Sequence, residues 1–227
     1  VMPTGITFGS QYTYLTGSSP SLQRYYSALA NNLYQQFALQ PGDAVVEIGS
    51  NDGTFLKEFK NLGIDSIGID GATQSSTRAR RDGLKVIEEF FGKGSAVDIN
   101  QQLDKGSDIS LVLAMNVLAH TDNLGEFLDE VKTVMNDGSV FITSCHWLSE
   151  LIRNFEFDTI YHEHLRYYTL TSLAGILEKH GLFVFDAEIT DFYGGSILTY
   201  ARTSRGKSTD RLNQIMEEEN GLDIVKS

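Results

Sequence analysis

Apolar residues recur along the chain in two rhythms, and their alternation predicts an architecture. Val45-Val46-Glu47-Ile48 is a short β-branched run that breaks at Gly49 and reads as a buried strand. Phe55, Leu56, Phe59 and Leu62 then share one helical face, which predicts a helix over Thr54 to Leu62 stopped by Gly63. Upstream, Ser19-Pro20 is a capping hydroxyl followed by a first-turn proline. Leu22, Tyr25, Tyr26, Leu29, Leu33 and Phe37 hold helical spacing from there to about residue 39. Downstream come a strand ending at Ile67-Gly68-Ile69-Asp70, a helix over Thr73 to Arg81, a strand over Leu84 to Ile87 and a polar helix near 95 to 103.

Ile109 to Met115 is apolar almost throughout, as expected of a parallel strand covered on both faces. Asn116 to Asp122 reads as a loop. Leu124, Phe127, Leu128, Val131, Val134 and Met135 then mark a helix, and Val140 to Thr143 a strand. Two more strands are expected at Leu182 to Ala187 and Ser196 to Arg202, separated by Tyr193-Gly194-Gly195. Strands alternating with helices at this spacing predict an open α/β sheet. The expected division is an N-terminal arm and helix over 1–40, a core over 41–204, and a charged helix or the start of a further domain over 205–227. That last stretch has only Leu212, Ile215, Met216 and Leu222 as apolar positions. Residues 1 to 19, rich in Gly, Ser, Thr and Tyr, read either as a surface arm or as a lid.

Composition narrows the partners. Eighteen basic residues face thirty acidic ones in 227, a formal charge of −12, which argues against nucleic acid and against an anionic membrane surface. Cys145 is the one cysteine, so a disulfide framework or cysteine metal cluster is not expected. No apolar run reaches membrane-spanning length, and no charged-then-apolar leader opens the chain. A soluble, cytoplasmic protein is the expectation. The opening at Val1 and the acidic finish suggest a piece of something longer.

Chemistry first shows itself at the strand tips. Glu47-x-Gly49-x-x-x-Gly53 differs from the G-x-G-x-x-G of dinucleotide sites, and a carboxylate just before the loop disfavours a diphosphate. It suits a cation, and S-adenosylmethionine (SAM) carries both a sulfonium and an ammonium. Asp70 follows about 20 residues after the first glycine, the spacing at which a second-strand acid takes ribose hydroxyls. Gly71 and Ala72 are small enough to leave room for an adenine. The plain alternative makes Glu47 and Asp70 ordinary strand-end acids. The cofactor-side candidates are Glu47, Gly49, Asn51, Gly53, Asp70, Gly71, Phe91 and Asn116.

Asn116 and His120 follow a strand at its carboxyl end, where open α/β sheets bind ligands. A denser cluster runs from Phe157 to Tyr168, with Tyr161, His162, Glu163 and His164 at its centre and no helical or strand period. Three readings compete: a metal held by His162 and His164, a polar network without catalysis, and acid–base chemistry by a histidine beside a carboxylate.

Taken together, VVEIGSNDGTF (Val45–Phe55), AMNVLAHTD (Ala114–Asp122), FDTIYHEHLRYY (Phe157–Tyr168) and YGGSIL (Tyr193–Leu198) resemble the SAM-dependent C-methyltransferases that act on nucleotide-linked keto-deoxysugars. The resemblance runs from about Tyr12 to Arg202. It implies the Rossmann-like class I SAM methyltransferase fold, a mainly parallel seven-stranded sheet with helices on both faces. It implies SAM as cofactor, no metal, and a small-molecule or carrier-bound keto substrate. His164 is then the base, with Glu163 and Tyr161 beside it; His120 and Asn116 are substrate-side polar groups. An N-terminal tyrosine also reaches the site, Tyr12 or Tyr14, with Tyr14 preferred. The expected mechanism removes a proton next to a ketone, with Glu163 supporting His164 and donors for the enolate oxygen drawn from Tyr161, His120 or Asn116. The chain departs from the family in lacking its cysteine-rich zinc module and its C-terminal α/β domain, which bears on the substrate more than on the reaction. An O- or N-methyltransferase, a SAM-binding scaffold without turnover and an NAD-type binder are the rivals.

Overall fold

In a computed structural model, which describes residues 4–9 and 12–221, the central strand β1 (Asp43–Ile48) buries every residue after its first. Its parallel neighbours are β2 (Asp65–Ile69) on one side and β4 (Asp108–Met115) on the other. β3 (Lys85–Ile87) extends the sheet beyond β2, and β5 (Val140–His146) extends it beyond β4, both parallel. A final antiparallel strand, β7 (Ser196–Arg202), sits between β5 and β6 (Phe183–Thr190). The order β3-β2-β1-β4-β5-β7-β6 places the change of direction between β1 and β4, the point at which such sheets open a crevice.

The helices are α1 (Thr4–Thr7), α2 (Pro20–Gln36), α3 (Leu56–Asn61), α4 (Thr73–Arg81), α5 (Ser95–Gln102), α6 (Leu124–Val134), α7 (Leu148–Arg153), α8 (Leu170–Lys179) and α9 (Asp210–Gly221). Side chains alternate across each strand, so the sheet feeds two cores. Ala44, Val46 and Ile48 pack on the face covered by α5, α6, α8 and α9. Val45, Leu111 and Leu113 pack on the face covered by α2, together with Phe55 and Phe59. Helices therefore lie on both faces of a mainly parallel seven-stranded sheet, the fold the sequence predicts.

Several boundaries move for local reasons. The helix expected from Thr54 begins at Leu56, because the Asp52 carboxylate accepts from the Thr54 hydroxyl at 2.7 Å and holds residues 52–55 in a turn. Three helices lie where the sequence pattern predicts none: the short α1, α7, and α8 with its Thr169/Ser172 capping box. β5 runs three residues beyond Thr143, since its antiparallel partner carries Cys145 opposite Ile197 and His146 opposite Ser196.

The charged stretch after residue 205 joins the fold through α9, whose Leu212 and Ile215 enter the main core. Arg211 forks onto Asp186 of β6, Nε to Oδ1 at 2.7 Å and Nη2 to Oδ2 at 2.6 Å. Leu222, counted among its apolar positions, lies outside the described residues, as do residues 1–3, 10 and 11 of the arm and the side chain of Tyr193. Glu219 is fully buried and has no basic partner among the described residues. Its carboxylate accepts instead from the Trp147 indole, from the Leu170 N–H, and from the N–H and hydroxyl of Thr171 at 2.8 and 2.7 Å. An acid at the first turn of α8 is also favoured by the helix dipole. Glu219→Ala leaves several buried donors without an acceptor and is expected to lower unfolding free energy by about 3 kcal/mol in urea titration. An unchanged midpoint would show that α9 contributes packing alone.

Candidate active site

At the carboxyl ends of β1, β2, β4 and β5 lies a cavity of about 1270 Å³. One end is built from the β1 tip. Gly49 has φ +70°, and its N–H donates to the Ile69 carbonyl at 2.8 Å, folding the loop back over β2. A Cβ at Gly49 would stand 2.7 Å from the Val117 side chain, so the glycine is needed for closure against the β4 loop. Asp70 is oriented by main-chain donors, Asn51 N–H to Oδ2 and Ala72 N–H to Oδ1, both 2.8 Å. Burial still pushes its carboxyl above the ordinary range.

Glu47 is 4 % exposed, and its Oε2 has no hydrogen-bond partner among the described residues. Burial, then the nearby Asp70, raise its carboxyl well above the usual value. Asn116, at φ +55°, also buries an Oδ1 without a donor in the same cavity. Two buried acceptors lacking protein donors, beside a third oriented acid, fit a ligand that brings positive charge and hydroxyls. SAM is such a ligand.

Three expectations for this end change. Gly53 is not on the cavity lining, and a Cβ there would meet Leu84 and Ala79, so the missing side chain makes room for core packing. The space over Gly71 holds the Phe90 ring, 2.6 Å from where a Cβ would sit, so the glycine admits an aromatic side chain rather than an adenine directly. The Asn51 amide is committed to the arm: Oδ1 accepts from the Thr16 N–H at 2.8 Å, and Nδ2 donates to the Tyr14 carbonyl at 3.0 Å. Phe91 lines the cavity and packs edge-on against Phe127 at 5.1 Å.

The other end gathers histidines. His164 Nδ1 lies 2.9 Å from the Thr159 carbonyl, an acceptor only, so the proton is on Nδ1 and the lone pair on Nε2. The Tyr161 hydroxyl sits 3.2 Å from that Nε2. The partner expected for this ring, the Glu163 carboxylate, is replaced by a main-chain carbonyl. Glu163 instead offers its own carbonyl to His120 Nδ1 at 2.8 Å, and its side chain lines the cavity. His120 is thereby fixed in the same tautomer, and burial lowers its pKa to about 4. With its proton on Nδ1, a neutral His120 ring presents Nε2 as an acceptor. His162, the other half of the metal reading, is exposed and off the cavity wall.

Two residues gain importance from the structure. His146, at the unforeseen end of β5, lies 5.0 Å from the His164 ring, and burial lowers its pKa. Tyr12 is more enclosed than Tyr14, which is 42 % exposed; burial, then Glu163, raise its pKa, so its hydroxyl keeps its proton. No period marked either one. The signal for His146 was its place directly after an apolar strand.

A donor cradle at two strand tips and a titratable cluster opposite define a nucleoside-binding transferase of the open α/β class. A family model described as a methyltransferase domain matches residues 22–186, and the chain belongs to that family. The chain is a methyltransferase domain of a SAM-dependent family. It is 31 % identical over 202 residues to the C-methyltransferase NovU of Streptomyces niveus, covering 88 % of this chain and 47 % of that one. A ribosomal protein L11 methyltransferase of Listeria monocytogenes is 29 % identical over 62 % of this chain and 40 % of its own. The chain thus spans about half the length of the curated relatives it matches. Among solved structures, the PH0226 protein of Pyrococcus horikoshii OT3 superposes with a TM-score of 0.61 at 17 % identity, over 84 % of this chain and 94 % of that one. The magnesium protoporphyrin IX methyltransferase of Synechocystis PCC 6803 with bound SAH gives 0.57 at 16 %, over 79 % and 82 %. These likenesses show the fold. Among the described residues, no helix is long and apolar enough to cross a membrane.

Glu47 makes a test of the cradle. A bound cation favours its carboxylate, so binding expels the proton that burial retains, and affinity rises with pH until the free carboxyl has ionised. Calorimetry of SAM in buffers of different ionisation enthalpy is expected to show proton release that disappears in Glu47→Gln. Identical release in both proteins would remove Glu47 from the cradle.

Proposed function

We propose that the chain methylates a carbon next to a ketone, through an enolate. The observation that carries this reading is the state of His164, whose Nδ1–H is tied to the Thr159 carbonyl and whose Nε2 lone pair stands on the cavity wall. An oxygen or nitrogen acceptor needs little help to lose its proton; a carbon acid needs a positioned base. The C-methyltransferase relative supports the same choice.

In this reading Glu47, Asp70 and Asn116 hold SAM, with Gly49 closing the loop, Asn51 fastening the arm, and Gly71, Phe90 and Phe91 bounding the nucleoside end. Bound SAM supplies an electrophilic methyl group and leaves as the neutral thioether. His164 Nε2 takes the α-proton, and the C–H electron pair moves into the enolate. The enolate oxygen is met by a phenol that is already protonated and in place, Tyr12 or Tyr161; such preorganised donors are worth several kcal/mol. His120 and His146 flank the base, and burial disfavours a positive charge on either ring. Glu163 acts through its main chain, orienting His120, and Tyr14 holds the arm to Asn51 through its carbonyl. The acceptor is a keto compound, as the resemblance to enzymes of keto-deoxysugars implies.

His164→Ala is expected to cut turnover by about 10²–10⁴-fold while SAM binding persists. With a ketone substrate in D2O, wild-type enzyme should place deuterium α to the carbonyl, and His164→Ala should not. Methylation on oxygen or nitrogen without that exchange would overturn the carbon assignment.

A further inference from the structure

Three imidazoles stand among the described walls of the cavity, and two of them turn their N–H groups toward the backbone. His164 gives its Nδ1–H to the Thr159 carbonyl, and His120 its own to the Glu163 carbonyl. The third, His146, comes from the sheet. It is the last residue of β5, opposite Ser196 in the antiparallel register. Its neighbours in the chain are anchored: Cys145 lies in the core, and Trp147 is fully buried. The Trp147 N–H donates to the Gly195 carbonyl at 3.1 Å, and its indole donates to Glu219. A side chain carried by such a strand end is placed more precisely than one on a loop.

The His146 ring centroid lies 5.0 Å from that of His164, with the two planes inclined by 58°. A ketone that loses an α-proton calls for both features. Its oxygen and its α-carbon are separated by one atom, so a base for the carbon and a donor for the oxygen must be close neighbours. The C–H bond breaks perpendicular to the carbonyl plane, whereas the oxygen lone pairs lie near that plane. Base and donor therefore approach along crossed directions. Burial, then the nearby His164, lower the His146 pKa, so the ring is neutral and carries one N–H in either tautomer. A neutral imidazole is an effective electrophile toward a carbonyl oxygen.

We propose that His146 donates its ring N–H to the carbonyl oxygen of the methyl acceptor, as a second donor beside the phenol, while His164 takes the α-proton. This rests on the reading of the site as a carbon methyltransferase and adds a catalytic residue to it. As the proton passes to His164 Nε2, the C–H electron pair becomes the C=C bond and the carbonyl π pair moves onto oxygen, which has a lone pair for each donor. The carbonyl then re-forms as the enolate carbon takes the methyl group, and the S–C pair leaves with sulfur. His146 keeps its proton throughout. Its hydrogen bond strengthens only as charge develops on the oxygen, so it acts on the transition state more than on binding.

Deuterium exchange in D2O tests it on the full chain with SAH bound, which halts the reaction at the enolate. The ketone probe is thymidine diphosphate 4-keto-6-deoxyglucose, of the class the resemblance implies. Wild-type enzyme is expected to exchange the α-position. His146→Phe, which keeps a ring and loses the N–H, should exchange about 10²–10³-fold more slowly with KM little changed. An amide restores an N–H near one ring nitrogen, Asn near Nδ1 and Gln near Nε2. One of His146→Asn and His146→Gln should therefore return to within about tenfold of wild type. Retained SAH binding by calorimetry shows that each variant is folded. Full exchange in His146→Phe, a loss confined to KM, or no recovery in either amide overturns the proposal. If wild-type exchange is still lost in His164→Ala, the carbon reading then stands without it. A wild-type enzyme that does not exchange at all overturns the carbon reading and this donor together.

Discussion

A carboxylate buried at the tip of the central strand with one oxygen lacking a donor is the constraint around which the site is arranged. Burying such a group is unfavourable unless something compensates it. Glu47 is almost wholly buried, because β1 is paired on both sides and its tip is roofed by the Gly49 turn; it is approached from the cavity. Taking up a proton relieves the free protein, and Asp70 beside it strengthens that tendency. A positively charged ligand relieves it better. The sheet therefore holds a vacant acceptor in reserve, at some expense in stability, and a methyl donor with two cationic groups matches that reserve. The N-terminal arm closes over the same corner because the Asn51 side chain takes its backbone, while the Asn51 N–H holds Asp70. Arm, loop and second-strand acid thus meet at one residue.

The opposite wall follows a different rule. Each of the two central histidines commits its Nδ1–H to a main-chain carbonyl, His164 to Thr159 and His120 to Glu163. The backbone of residues 159–168 is in turn laced to the loop after β4. Leu165 N–H donates to the Ala119 carbonyl at 2.8 Å, Tyr168 hydroxyl to that of Leu118 at 3.3 Å, and Arg166 to those of Thr121 and Asp122. Tautomer and ring orientation are fixed by backbone position. That is why a carboxylate partner for His164 was unnecessary, and why the dense cluster of Tyr, His and Glu has neither helical nor strand period.

The legible parts of this protein were those with a repeating environment. The parallel strands announced themselves through runs buried on both faces, and Glu47 and Asp70 through their place at strand ends. What stayed hidden depended on long-range partners. His146 reaches the cavity because β7, some fifty residues later in the chain, extends β5 past its apolar stretch. Gly53 and Gly71 looked like openings for a ligand, since a glycine's spacing does not tell which neighbour needs the missing Cβ. Leu84 and Phe90, the neighbours in question, arrive from around β3. Tyr12 and Tyr14 were inseparable in sequence, and the fold of the arm alone encloses one more than the other.

The stretch whose composition looked least committed to the fold determines where His164, the proposed base, stands. Residues 148–169 leave the sheet at Trp147 and rejoin the core at Leu170, the start of α8, and both ends are gripped by Glu219 of α9, through the indole and through the first N–H groups of α8. Leu148 N–H donates to the Tyr168 carbonyl at 2.9 Å, which closes the neck of the loop beside that carboxylate. A loop pinned at its neck and laced along one side has few ways to move. His164 sits within it, so its distance from the strand tips depends on that buried contact. Were α9 to loosen, the histidine would keep its local hydrogen bonds and lose its register with the cradle. Position, more than acidity, is what that buried glutamate gives the site.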